Sequence, residues 1–199
     1  MVERDQLTTL ALTKSQERKF IRKIVGSKEF VNGVYRYCIW VPDNLKEEAY
    51  AIPEFHRRFD LISQYREKSD RKGTKALKAT PHQMASMKIG KESSIIIPRV
   101  VTQEREYITC GLVDNSVTIT DRMFALFDAP IYCISVLSSK LHWVWVNSVC
   151  GKLKTDPNYS NTLGWNTFPI PKLTAKNIDD MTEAAIRILV QRSSNNAIY

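Results

Sequence analysis

The chain has 199 residues, 43% of them hydrophobic and 25% charged, so it can bury a core and is neither a disordered polypeptide nor a disulfide-stapled miniature. A formal charge of +8 and a pI near 9.3 bias it toward polyanions, nucleic acid or an anionic membrane, although charge alone neither chooses between them nor excludes a merely soluble basic protein. The longest apolar run, around Val144 to Val149, is too short to span a bilayer and the first residues are polar rather than signal-like, which implies a cytosolic protein without a membrane partner.

Residues 1–19 are polar without strong periodicity and read as a partly ordered lead-in. From Gly26 the pattern predicts turns, one of them at Asn32-Gly33, and then a strand from Val34 to Val41 rich in Tyr, Ile, Val and Trp. Pro42-Asp43-Asn44 ends it. Leu45, Ala49, Ile52, Phe55, Phe59 and Ile62 then recur at steps of three and four, an amphipathic helix running to about Lys68 with a joint at Pro53. Gly73, Thr80-Pro81 and Gly90 punctuate a basic loop region, followed by strands near Ser94 to Val100 and Tyr107 to Val113. Pro98 cannot donate to a ladder, so the first of these is expected at an edge or bulged there. Short strands and turns are expected over residues 117–132, and Cys133 to Cys150 reads as one helix apolar on nearly every side, ended by Gly151. After the extended Phe168-Pro169-Ile170-Pro171, Thr174 is a good N-cap for a last helix with Asp179 and Asp180 early and Arg187 and Arg192 late. Its stripe of Ile178, Met181, Ala185, Ile188 and Leu189 calls for a partner, one that could lie outside the chain.

Two segments carry candidate binding chemistry. Between Arg57 and Lys78 stand eight basic residues (Arg57, Arg58, Arg66, Lys68, Arg71, Lys72, Lys75, Lys78) against three acidic ones (Asp60, Glu67, Asp70). Such a cluster reads either as a solvated face or as a phosphate-binding surface giving sequence-independent, salt-sensitive affinity; Arg66, Arg71, Lys72, Lys75 and Lys78 are the phosphate candidates. Arg99, Thr102, Gln103, Glu104, Arg105 and Tyr107 fall in a connection between two strands, and they are side chains able to read base edges: Arg to guanine, Gln to adenine, Glu to cytosine. Tyr35, Tyr37 and Trp40 alternate with apolar positions and read as sheet packing rather than a base-stacking platform.

No catalytic centre is legible. Only seven glycines occur, none in GxG or GxGxxG, so no loop is built to cradle a phosphate or S-adenosylmethionine. Cys38, Cys110, Cys133 and Cys150 are irregularly spaced and read as reduced, buried thiols rather than metal ligands, and His56, His82 and His142 lie on separate segments. Pro42-Asp43 lacks the trailing Glu-x-Lys of a nuclease centre, so Asp43, Glu47 and Glu48 read as helix-start residues. Asp156-Pro157-Asn158-Tyr159 faintly resembles the (Asn/Asp)-Pro-Pro-(Tyr/Phe) motif by which adenine methyltransferases hold a flipped base, but Asn158 replaces a proline and the cofactor motif is missing; it reads as a turn.

Phe20 with Ile24 to Gly33 (IVGSKEFVNG), Arg36 to Val41 (RYCIWV), Ile95 to Val100 (IIIPRV), Arg105 to Tyr107, Leu137 to Ser139 (LSS), Trp145, Cys150 to Leu153 (CGKL), Tyr159-Ser160 and Asn166 to Pro171 (NTFPIP) occur in an order that resembles the target-recognition region of MmeI-like DNA methyltransferases, enzymes of the type IIG and IIL restriction-modification group. The resemblance implies a mixed α/β target-recognition domain over residues 20–172 with a C-terminal helical appendage over residues 173–199. It further implies a non-catalytic fragment of a bacterial adenine-N6 methyltransferase that reads double-stranded DNA beside the parent chain's methyltransferase domain. S-adenosylmethionine would then belong to the parent enzyme, with no cofactor or metal in this chain. A stand-alone specificity or assembly subunit, and a small methyltransferase in its own right, are the alternatives.

Overall fold

The computed structural model describes residues 3–193. A 3₁₀ turn at Asp5–Leu10 leads to α1 (Lys14–Phe20), which runs directly into β1 (Ile21–Val25), followed by α2 (Ser27–Asn32) and β2 (Arg36–Ile39). A second 3₁₀ turn, Asp43–Leu45, precedes α3 (Lys46–Tyr50), α4 (Pro53–Glu67) and α5 (Lys72–Ala76). Next come β3 (Ser93–Pro98), β4 (Gly111–Asp114), β5 (Val117–Ile119) and β6 (Met123–Phe127), then α6 (Cys133–Leu137) and α7 (Lys140–Val149). A small hairpin of β7 (Lys152–Leu153) and β8 (Asp156–Pro157), a π-helical turn at Asn161–Trp165 and α8 (Ala175–Ser193) complete it. The chain groups into two compact units, one of residues up to 23 with 36–88, the other of residues 24–35 with those from 89 onward.

Within the segment read as a partly ordered lead-in, residues 5–10 form a 3₁₀ turn and residues 14–20 a capped helix. Thr13 and Gln16 form a reciprocal capping box, Gln16 N donating to Thr13 Oγ1 (3.2 Å) and Thr13 N to Gln16 Oε1 (2.9 Å), and this starts α1. Leu10 and Phe20 are thereby delivered to a core shared with Val41, Ala49, Ile52, Phe55 and Phe59, where the Phe20 and Phe55 rings meet edge to face at 5.8 Å. The expected joint at Pro53 is real: Ile52 is extended, as a residue before proline must be, and Pro53 opens α4 at a position whose N–H has no helical partner. The apolar stripe leaves the core after Phe59, so Ile62 and Tyr65 are exposed.

In the second unit β3 is flanked on both sides, by antiparallel β4 and β6. Ile95 and Ile97 face a cluster built with α6, α7, Tyr159 and Ala185, whereas Ile96 faces a second one containing Val25, Phe30, Val113, Val117 and Met123. Period-two alternation between two cores explains an unbroken apolar run in one strand. β3 is therefore central rather than an edge, and Pro98 is tolerated because it is the last residue: it still faces Met123 on β6, but β4 reaches no further than Gly111 opposite Ile96.

Four other expectations change. Asn32-Gly33 is not a hairpin turn; Gly33, at φ 66°, is the left-handed cap that ends α2, with Val34 N donating to Glu29 O. Tyr107 belongs to no strand, since β4 starts only at Gly111. The apolar stretch from Cys133 is two helices, because Ser139 turns extended and its hydroxyl accepts from His142 N (3.1 Å) to begin α7, and Leu141 and Val144 face solvent instead of the core. α8 starts where expected, Asn177 N donating to Thr174 Oγ1 (3.2 Å), but finds partners within its own unit: Ala185, Ile188 and Leu189 join the core beside α6.

Candidate nucleic-acid interface

The basic cluster lies in the first unit, on the end of α4 and on α5, and its members have unequal freedom. Arg57 and Arg58 both donate to Glu54 (2.8 and 2.7 Å), and these hydrogen bonds hold its carboxyl down to about 2. The Arg66 guanidinium donates to the carbonyls of Leu77 (2.9 Å), Thr80 (2.8 Å) and Gln83 (2.7 Å), pinning the chain after α5 against α4. Lys78 pairs with Glu67 at 3.0 Å. Lys68, Arg71, Lys72 and Lys75 are exposed and make no ion pair among the described residues. Arg71 caps the start of α5, Lys72 opens it and Lys75 lies in its last turn, with no acidic residue in the first turn to neutralise Arg71 or Lys72. Of the five phosphate candidates, then, Arg71, Lys72 and Lys75 present free cations, Lys78 a shared one, and Arg66 is occupied by the fold.

The candidate readers lie in the second unit. Residues 102–107 are exposed without exception, a loop standing on the rigid end of β3. Arg99 is braced: its guanidinium donates to Asp121 O (3.0 Å) and lies over the Phe124 ring at 5.2 Å. Arg105 N donates to Thr102 O (3.1 Å) to close a turn, and the Arg105 guanidinium donates to Thr109 Oγ1 (3.0 Å). Tyr107, 44% exposed, carries the Arg192 guanidinium over its ring at 5.8 Å. The side chains of Gln103 and Glu104 have no hydrogen-bond partner among the described residues. The chain thus divides the two candidate sets between its two units.

Three features escaped sequence reading. The β7–β8 hairpin runs alongside this loop: Val101 N donates to Pro157 O (3.1 Å), Val100 bridges Asn158, and Gln103 N donates to Asp156 Oδ1 (3.1 Å). Asp156-Pro157 is therefore a strand rather than a turn, and Tyr159, 1% exposed, is a core residue whose ring cannot hold a flipped base. Secondly, His82 is buried and its Nε2 meets Asp43 Oδ1 at 2.9 Å, while Gln83 Nε2 donates to the same oxygen (2.8 Å); the bond to His82 lowers the Asp43 pKa. Asp43 does not merely start a helix but ties residues 82–83 to the 3₁₀ turn. Thirdly, His142 is enclosed by Phe168, Trp165 and Tyr159, its Nε2 lying 3.2 Å from the Tyr159 hydroxyl, and burial pushes its pKa down to about 4. Neutral at physiological pH and shut from solvent, it is a packing residue. All four cysteines are free and buried, as their spacing suggested. No cluster of three His, Cys, Asp or Glu able to hold a metal occurs among the described residues, and no helix there is long and apolar enough to cross a membrane.

Residues 1–172 match the family described as the MmeI target recognition domain. The chain belongs to that family. It is 36% identical over 170 residues to DNA methyltransferase A of Bacillus subtilis (strain 168), an alignment covering 85% of this chain and 19% of that protein. Its fold superposes with a TM-score of 0.89, at 28% identity, on the type IIL restriction-modification enzyme MmeI solved in complex with DNA, covering 98% of this chain and 26% of MmeI. This member of the MmeI target recognition domain family therefore spans about a fifth to a quarter of the relatives it matches. The mixed α/β fold with its C-terminal helix is the one implied by the resemblance, and the match extends through the capped α1 helix that had read as a lead-in.

Proposed function

We propose that this chain is the DNA-reading part of a site-specific DNA methyltransferase or restriction-modification enzyme and performs no chemistry itself. The observation that carries this reading is the likeness, across nearly the whole chain, to MmeI captured with DNA. The free cations of Arg71, Lys72 and Lys75 support it as phosphate contacts that position the duplex, with Lys78 contributing when it leaves Glu67. The exposed loop from Thr102 to Tyr107, with Arg99 braced at its base, supports it as the element that reads base edges, because it projects hydrogen-bonding side chains from a rigid strand. Methyl transfer, to adenine N6, belongs on this reading to another domain of the parent chain, which binds S-adenosylmethionine and receives the target base once it leaves the stack. The parent enzyme then works in the bacterial cytoplasm.

Selection of duplexes from a randomised pool by the 199-residue chain tests the reading. Recovery of a short common sequence, with affinity falling steeply as salt rises, is the expected result; retention of no duplex refutes it. Calorimetry with S-adenosylmethionine discriminates the rival in which the chain is a small methyltransferase: stoichiometric uptake would overturn the division of labour proposed.

A further inference from the structure

The two arginines late in α8 both complement its dipole, yet they have different fates. The Arg187 side chain stays on its own helix, donating to Glu183 one turn earlier (2.5 Å). Arg192 leaves it: its guanidinium donates to the carbonyl of Cys110 (2.5 Å) and lies over the Tyr107 ring, 5.8 Å from the centroid. Cys110 stands immediately before β4 and is buried in one core with Ile108, so residues 107–110 are the leg by which the Thr102 to Tyr107 loop returns to the sheet. Ala185, Ile188 and Leu189 pack into that same core, which makes the end of α8 a fixed support. Tyr107 itself is not closely packed against it: a cleft of about 450 Å³, lined by Tyr107, Ser138, Arg187, Ile188, Gln191 and Arg192, opens where the loop meets the helix. A ring beside open space has more than one staggered position available, and a guanidinium anchored on a buried carbonyl and laid over its face selects one of them. The entry of the loop has its own tie, Gln103 N donating to Asp156 (3.1 Å); Arg192 ties the exit. The second tie comes from beyond residue 172, where the match to the target recognition domain family ends.

We infer that Arg192 is a positioning residue for sequence recognition: held by the Cys110 carbonyl, it fixes the Tyr107 ring and with it the exit of the reading loop, so that the C-terminal helix sets part of the base preference without touching DNA. The inference rests on the DNA-reading function proposed above and gives α8 a part in it. A positioning role and a direct phosphate contact separate experimentally, since phosphate binding sets salt dependence and loop geometry sets sequence preference.

The full 199-residue chain selects its preferred sequence from a randomised duplex pool, and it and its variants are then titrated with that duplex and with single-base-pair substitutions of it at several salt concentrations, beside urea unfolding. One mismatched base pair weakens a specific complex by about 5- to 150-fold. In Arg192→Ala that ratio falls by about fivefold or more at one or two positions, while the slope of log affinity against log salt stays the same. Arg192→Lys keeps a donor for the buried Cys110 carbonyl and therefore the unfolding midpoint, but it lacks the planar group that joins carbonyl and ring, and it loses discrimination at the same positions. In a Tyr107→Leu background Arg192→Ala changes the preference no further, because its effect runs through that ring. A slope lowered by about 0.9 in Arg192→Ala marks a phosphate contact and overturns the positioning role. Wild-type discrimination in Arg192→Lys, or losses that add in the double variant, overturn it as well, and Arg192→Lys decides the matter if Arg192→Ala does not fold. A wild-type chain that retains no duplex overturns the underlying reading and this inference with it, whereas normal wild-type selection with unchanged preference in both Arg192 variants overturns the inference alone.

Discussion

Replacing Arg71, Lys72 and Lys75 by alanine removes the three phosphate candidates that the fold leaves unengaged. Each neutralised phosphate releases condensed counterions and contributes about 0.9 to the slope of log affinity against log salt on B-form DNA, so removing three such cations lowers the slope by about 2.7. Between 50 and 200 mM salt, a fourfold change, the variant then loses about 40-fold less affinity than the parent chain. Lys78 is left in place because Glu67 already shares its charge at 3.0 Å. An exposed pair of that kind is worth about 0–1 kcal/mol, so Lys78 can exchange partners and its removal shifts the slope by less than the removal of a free cation does. Fluorescence anisotropy with a labelled duplex, repeated at four or five salt concentrations, reads the slope directly. All sequences should weaken alike, since phosphates carry no sequence information. A triple variant with native circular dichroism and a slope within about 0.5 of wild type would refute the assignment of this cluster to the backbone of DNA.

Arg66→Ala behaves as a folding variant instead, because three carbonyls lose their shared donor: urea unfolding should show a loss of about 2–4 kcal/mol with the salt slope unchanged. Lysine at that position does not rescue, lacking the fork that spans three acceptors. For His142, held at about 4 against 6.5 in an unfolded chain, the unfolded state takes up its proton first as the pH drops. Its neutral form therefore contributes full stability above pH ~6.5 and loses it progressively toward pH ~4, by at most about 3 kcal/mol, and denaturation of His142→Phe beside wild type across that window should show a flatter acid limb; parallel limbs would exclude His142 as the titrating group. Gln103→Ala with Glu104→Ala should alter the preferred base pair at one or two positions by about 1–3 kcal/mol without touching the salt slope, and an unaltered selected sequence would place readout elsewhere.

The elements that sequence reading located are those in which local chemistry and packing agree. Pro53 breaks the helical pattern both because residue 52 must be extended and because Ile52 is wanted in the core. The last helix is legible for the same reason, Thr174 capping it and the Ala185-Ile188-Leu189 stripe burying it. The misreadings occur where one residue admits two local structures. Asn32-Gly33 supplies positive φ equally well to a hairpin or to a helix end, and what decides is Glu29, three residues after Gly26, whose carboxylate accepts from Gly26 N. That spacing was present in the sequence, as was Thr13 with Gln16. Ser138-Ser139 looked harmless inside an apolar run, yet a serine that can accept from the N–H three residues on is as good a helix start as a helix interior. The β7–β8 hairpin carried no signal of its own: two-residue strands have no measurable periodicity, and its turn uses Lys154 where glycine or asparagine would have announced it.

The candidate site was legible as two stretches of residue types but not as a set of working side chains, and the reason is physical. Charge clustering and side-chain chemistry are visible in one dimension, whereas what each group already binds is not. Arg66 and Arg71 look alike in sequence; the first is consumed by three carbonyls and the second is free. Within the reading loop the same sorting has a consequence for how such a domain changes its target. Arg99 is held by Asp121 O and Phe124, Arg105 by Thr109, and Tyr107 lies under Arg192, so altering any of them disturbs the support of the loop. Gln103 and Glu104 are fixed only through backbone: Gln103 N is gripped by Asp156, while both side chains remain uncommitted. On the proposed reading, a new base preference is reached at least cost by exchanging those two side chains on an unchanged backbone. On that same reading the neighbours hold the fold, and the specificity falls to the pair that the fold does not use.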